Sequence, residues 1–147
     1  MALTNFRPPS VLDIKDLIDE RKFNFGEIWT IRDCLISIPD ADRINERVEH
    51  YSRAVVIVDN NSQNYNKFSH VITVAPLSHR VDCMREFDIP LTEEKDGVKQ
   101  KCLLRMSLIQ PVLKKDLHKL VGEIHEDSKD EIIDVQLQKM GINPEDL

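Results

Sequence analysis

Three features of the sequence predict a β-rich α+β domain. Two apolar runs of strand length, Ala54-Val55-Val56-Ile57-Val58 and residues 71–77, are joined by an asparagine- and serine-rich turn. Shorter apolar stretches follow, broken by proline, glycine and charge, as short antiparallel strands would be. One helical pattern with its own start and stop lies near the C-terminus. Strands of this kind followed by one helix imply a small, partly open barrel with the helix across it. At 147 residues the chain is the length of one domain and can bury a core.

Each element has a local reason. Ser10-Val11-Leu12-Asp13 reads as a capping box, and Val11, Ile14, Leu17 and Ile18 repeat at helical spacing. An amphipathic helix is therefore predicted over 11–21, within an N-terminal extension of residues 1–24 that carries no chemistry. Residues 27–32 form the first strand of a main domain spanning 25–142. The stretch 39–52 is charged, lacks glycine and carries an Asp40-led helix signal over 41–49, so it reads as a helical insertion. Asn60, Asn61, Ser62, Asn64 and Asn66 make a turn-rich link to the strand at 70–75. A strand over 85–91 contains Pro90, which has no amide donor, so that end belongs at a sheet edge. Residues 93–100 form a polar hairpin loop, solvated with its acids Glu93, Glu94 and Asp96. The chain returns as a strand over 101–106 and continues over 108–113. Asp127 or Ser128 caps the last helix, in which Ile133, Leu137 and Met140 share a face, with Gly141 as the stop. Residues 143–147 are a tail.

The longest apolar runs are strand-length, so no segment is predicted to span a membrane, and the N-terminus has no signal-peptide pattern. The 3 cysteines, Cys34, Cys83 and Cys102, stand at unrelated spacings and read as reduced thiols in a cytoplasm. No pair has the close spacing of a zinc site, so neither metal nor cofactor is predicted. A net charge of −6 counts against a nucleic-acid binder, but the local field at a site matters more than the sum. Arg53, Arg80, Arg85, Lys99, Lys101 and Arg105 fall in or beside the central segments, while acids gather in the loops and tail.

The two central runs also place chemistry. Arg53 opens one, and Ser78-His79-Arg80 closes the next. In neighbouring strands a guanidinium fork, a hydroxyl, an imidazole and a second cation would converge on one phosphate-sized spot. Around them lie Gly26-Glu27-Ile28-Trp29, Ala75-Pro76-Leu77-Ser78, Lys114-Lys115-Asp116-Leu117 and Leu120-Val121-Gly122. In this order, from Gly26 to Gly141, they resemble the PemK/MazF-like toxins of type II toxin–antitoxin systems. The resemblance implies an SH3-like barrel of the PemK/MazF/CcdB type, and a metal-independent endoribonuclease cutting single-stranded RNA by 2′-hydroxyl attack. It also implies a homodimer and a cognate antitoxin as partner.

By that resemblance, Arg53 matches the arginine that stabilises the scissile phosphate, with Ala54 where the family has proline and Ser52 where glycine is usual. Ser78 matches the Thr or Ser that bonds the same phosphate. Arg105-Met106-Ser107 stands where some members carry Arg-x-Asp with acid and base roles, so Arg105 is a candidate and the base is unassigned. His79 and His50 are the imidazoles nearest these positions, and His79 is the catalytic candidate. Arg80, Lys114 and Lys115 are candidate RNA-backbone contacts. Two other readings are kept. One is a relative that binds RNA or protein without cutting. The other is a CcdB-like gyrase poison, which Met140-Gly141-Ile142 disfavours because the aromatic before glycine is missing.

Overall fold

The computed structural model of the protein describes residues 11–147. Its strands are β1 (Glu27–Arg32), β2 (Ser52–Ile57), β3 (Val71–Ser78), β4 (Asp88–Leu91), β5 (Cys102–Arg105), β6 (Gln110–Leu113) and β7 (Leu120–Glu123). They form one antiparallel sheet in the order β4-β5-β3-β2-β1-β7, with β6 also on β3. β3 is the hinge of this arrangement. Its first half pairs with β6 (Val71 opposite Leu113) and its last two residues with β5 (Ser78 opposite Leu103). β5 and β6 are thus one strand path, broken by the 3-10 turn Met106–Leu108. That break curls the sheet into a half-barrel.

Side-chain alternation gives the curled sheet two apolar faces. Ile28, Val56, Ala75, Leu77, Ile89 and Leu104 pack inward with Ile124, Ile132 and Val135. The last two come from the C-terminal helix, here α3 (Glu126–Lys139). The opposite face buries Trp29, Ile31, Val55, Ile57, Ile72 and Val74 under Phe23, Ile36 and Leu117. Trp29 is therefore core, its ring centroid 4.8 Å from that of Phe23. Pro90 sits on the sheet-edge strand β4, as its missing amide requires.

Several predicted elements differ. The helix predicted over 11–21 is a single 3-10 turn, Ile14–Leu17, followed by extended backbone. An isolated helix of that length needs a packed face, and this one has none, with Val11 and Ile14 100% and 78% exposed. Arg21 holds the segment instead, clasping Asp19 and donating to the carbonyls of Leu117 and Lys114. Ser10, the predicted cap, lies outside the described residues. The insertion contains only α1 (Pro39–Arg43). Asn45 ends it with φ of 60°, and the Glu46 amide reaches back to the Ala41 carbonyl at 3.1 Å. Residues of the asparagine-rich link fold as α2 (Asn61–Tyr65), capped by Asn60.

α3 is capped by His125, two residues before the nearer predicted cap, and it buries Ser128, Ile132 and Val135 while Ile133 and Met140 are exposed. Asp96 is the reason. Far from being solvated, it is fully buried and takes the Thr92 and His125 amides and the Ser128 hydroxyl. That tether fixes which face of α3 meets the sheet. Gly122 is required where β7 passes this loop, because a Cβ there would stand 2.7 Å from the Gly97 carbonyl oxygen. Gly141 stops α3 with φ of 83°, as predicted.

Candidate active site

The face carrying Val55 and Val74 continues past the core to Arg53, Pro76 and Ser78. Val55 pairs with Pro76, so the same antiparallel register carried two residues further brings Arg53 level with Ser78. Arg105 shares this face because Leu104 points into the other core. Together with α1, Ile44 and Glu46 on one side and Arg80, Cys83 and Arg85 on the other, these residues line a cleft of about 360 Å³.

Arg53 is held from behind. Its Nε donates to Asp33 Oδ1 at 2.6 Å and its Nη1 to the Leu77 carbonyl at 3.0 Å. Nη2 makes no hydrogen bond to any described residue, so one prong of the fork is left for a ligand. Asp33 is fully buried and also takes Arg47 Nη2 at 2.5 Å and the His50 amide at 2.9 Å. Burial pushes its carboxyl pKa up, but the bonds from Arg53, His50 and Arg47 outweigh it and hold the group below the ordinary carboxylate value.

Arg105 is held in the same way. Its Nη1 donates to the buried carboxylate of Asp88 and to the Cys83 carbonyl, the latter at 3.0 Å. Its Nη2 approaches Ser78 Oγ at 3.4 Å, and the Arg80 amide donates to the same oxygen at 3.2 Å. Those two contacts occupy the acceptor side of the Ser78 hydroxyl and leave its proton to donate. Ser78 is built as a donor, not as a base.

Arg80 and Arg85 are exposed, and each has a carboxylate partner: Asp82 at 3.3 Å and Asp40 at 2.8 Å. The Arg85 bond, ahead of that from the Ala41 amide, lowers the Asp40 carboxyl pKa. Every described arginine lining the cleft is therefore paired. The basic field predicted for these segments is largely offset by these partners.

Other candidates fall elsewhere. His79 and His50 are exposed, and none of the 5 histidines lines the cleft. Lys114 is 1% exposed, and its ammonium donates to the carbonyls of Gln63, Asn64 and Asn66 at 3.0, 3.1 and 3.0 Å. It closes the end of α2 and has no donor left for RNA. Lys115 lines a shallow hollow with Lys15, Arg21 and His118. Ser107 is exposed in the 3-10 turn and outside the cleft. The sequence reading missed Asp33 and Asp88, the carboxylates behind the two arginines. Their only sequence signal is a lone acid beside an apolar run.

The chain matches, over residues 26–140, the family described as PemK-like, MazF-like toxin of type II toxin-antitoxin system. An endoribonuclease in complex with its cognate antitoxin from a mycobacterial species superposes with TM-score 0.56 at 12% identity, covering 82% of this chain and 95% of that one. A MazE–MazF structure from Deinococcus radiodurans gives 0.57 at 13% identity, covering 84% and 99%. Mycobacterium tuberculosis toxin MazF-mt6 gives 0.54 at 16% identity, covering 63% and 89%. At these identities the likeness is one of fold. No curated protein matches. Among the described residues no helix is long and apolar enough to cross a membrane.

Proposed function

Since the chain belongs to the family of PemK-like, MazF-like toxins of type II toxin–antitoxin systems, we propose that it is a toxin-type endoribonuclease that cuts single-stranded RNA without a metal ion. The observation that carries this reading is the unpaired Arg53 Nη2 in one cleft with Ser78 and Arg105. Two guanidinium groups and a hydroxyl proton held by buried carboxylates and backbone form a preorganised set of donors. Such a set suits a phosphate that gains charge in the transition state.

The 2′-oxygen attacks the adjacent phosphorus as its proton leaves. A P–O bond forms, the bond to the 5′-oxygen breaks, and that oxygen departs, taking a proton from water. The products are a 2′,3′-cyclic phosphate and a 5′-hydroxyl. Arg53 stabilises the non-bridging oxygens, Ser78 donates to one of them, and Arg105 lies behind Ser78 near the leaving side. Arg80 and Arg85 exchange their exposed partners, Asp82 and Asp40, for neighbouring phosphates. An open cleft suits unpaired bases, which can be splayed out and read at their edges. We further propose cytoplasmic action, a homodimer by C2 symmetry, and inhibition by a cognate antitoxin covering this cleft.

The test is cleavage of a long mixed-sequence RNA in EDTA by wild type, Arg53→Ala and Ser78→Ala. Discrete cuts with cyclic-phosphate ends are expected. They should fall about 10²- to 10³-fold in Arg53→Ala, the size of loss seen when one transition-state donor is removed. The pairing of every described cleft arginine with an acid favours a second reading, a relative that binds RNA or protein without cutting. Retarded but uncut RNA from folded wild type would establish it.

A further inference from the structure

We propose that Glu46 is the general base of this reaction, an inference that rests on the ribonuclease reading. The cleft is lined by two acidic residues, Asp40 and Glu46. Asp40 is occupied, taking Arg85 Nη2 on Oδ2 and the Ala41 amide on Oδ1. Asp33 and Asp88 are spent behind Arg53 and Arg105. The Glu46 carboxylate makes no hydrogen bond or ion pair with any described residue. It is thus the one cleft carboxylate with both oxygens open to a substrate proton. The alternatives are removed by geometry: no histidine lines the cleft, Ser107 lies outside it, and Ser78 is oriented to donate.

The backbone of Glu46 is placed, not loose. Asn45 adopts the left-handed conformation that ends α1, and the Glu46 amide is bonded to Ala41. The next residue, Arg47, donates to the carbonyls of Ile36 and Asp33 and to the Asp33 carboxylate. Asp33 also holds Arg53, so one buried carboxylate sets the insertion and the phosphate-binding arginine relative to each other. In the step itself, a Glu46 oxygen takes the 2′-hydroxyl proton as the 2′-oxygen bonds to phosphorus. The proton passes to water after the 5′-oxygen leaves.

Single-turnover cleavage of a short RNA is compared for wild type, Glu46→Gln and Glu46→Asp, beside binding of the same sequence with 2′-O-methyl groups. Glu46→Gln should lose about 10²- to 10⁴-fold in rate, the usual range for a placed proton acceptor. It should bind the uncleavable RNA as tightly as wild type or more so, because an anion has left a phosphate site. Glu46→Asp should recover part of the rate. Wild type that cuts, with Glu46→Gln within threefold of it, overturns the base and leaves the ribonuclease standing. Weakened binding that accounts for the whole rate loss overturns it too. Wild type that binds and never cuts overturns both.

Discussion

Arg53 Nε lies 2.6 Å from Asp33 Oδ1, a contact between the start of β2 and the turn that follows β1. The register explains the closeness. β1 and β2 are antiparallel with Ile31 opposite Arg53, so Asp33, two residues past Ile31, comes near Arg53 at the same end of the pair. Arg47 reaches the same carboxylate from the insertion. One acid, fully removed from water, therefore pairs with two arginines, Asp42 taking Arg47 as well, and orients the fork that faces the cleft. An unpaired charge at this depth would be costly, so the three groups hold each other in place.

Asp33→Asn should cost about 3–5 kcal/mol at pH 7, the range for breaking a buried ion pair from one side. Because the folded state depresses the Asp33 pKa, its contribution is fully present above the ordinary carboxylate value near 3.8 and is lost as pH falls through the lower folded value. Urea midpoints for wild type and Asp33→Asn should therefore differ widely at pH 7 and begin to converge only as pH falls below about 4. A gap that persists unchanged at pH 2 would show that the carboxylate's charge is not what stabilises this corner.

Lys114 and its neighbour Lys115 should separate sharply. Lys114→Met removes the donor to three carbonyls, and an orphaned buried acceptor costs about 1–3 kcal/mol. Thermal unfolding of Lys114→Met should fall by many degrees, while Lys115→Met, at an exposed position, should unfold as wild type does. Equal melting temperatures for the two variants would refute the structural role assigned to Lys114.

The legible parts of this fold were those with local periodicity. The bounds of β1, the place of Arg53 at the start of β2, one residue after its opening at Ser52, and the approach of Ser78 to it follow from alternation and from two runs close enough in sequence to be neighbours. The anchors are long-range, and no pattern near Asp33 or Asp88 announces that an arginine 20 or 17 residues away will bury its charge there. α3 shows a different kind of ambiguity. Ile133, Leu137 and Met140 make as good a helical stripe as Ile132 and Val135, and the choice is made by Asp96 gripping Ser128 from another loop. Lys114 misled because a lysine pair looks solvated from sequence, and only the fold brings three carbonyls to one ammonium. In the insertion, the helix signal was real but Asn45 cut it short, which is what puts Glu46 beside the cleft.

Thiol chemistry can report on the cleft without any assumption about catalysis. Cys83 is exposed and lines it, whereas Cys34 and Cys102 are buried. Burial, reinforced by Asp96 and Glu93, pushes the Cys102 thiol up to about 11, so little of it is thiolate at neutral pH. Native protein treated with an aromatic disulfide reagent should release one equivalent rapidly, and Cys83→Ser should abolish that phase. Saturating 2′-O-methyl RNA should slow it at least tenfold if the strand lies between Arg53 and Arg80. An unchanged rate under saturating RNA would mean that the strand runs elsewhere on the molecule, and the cleft would lose its claim to the substrate.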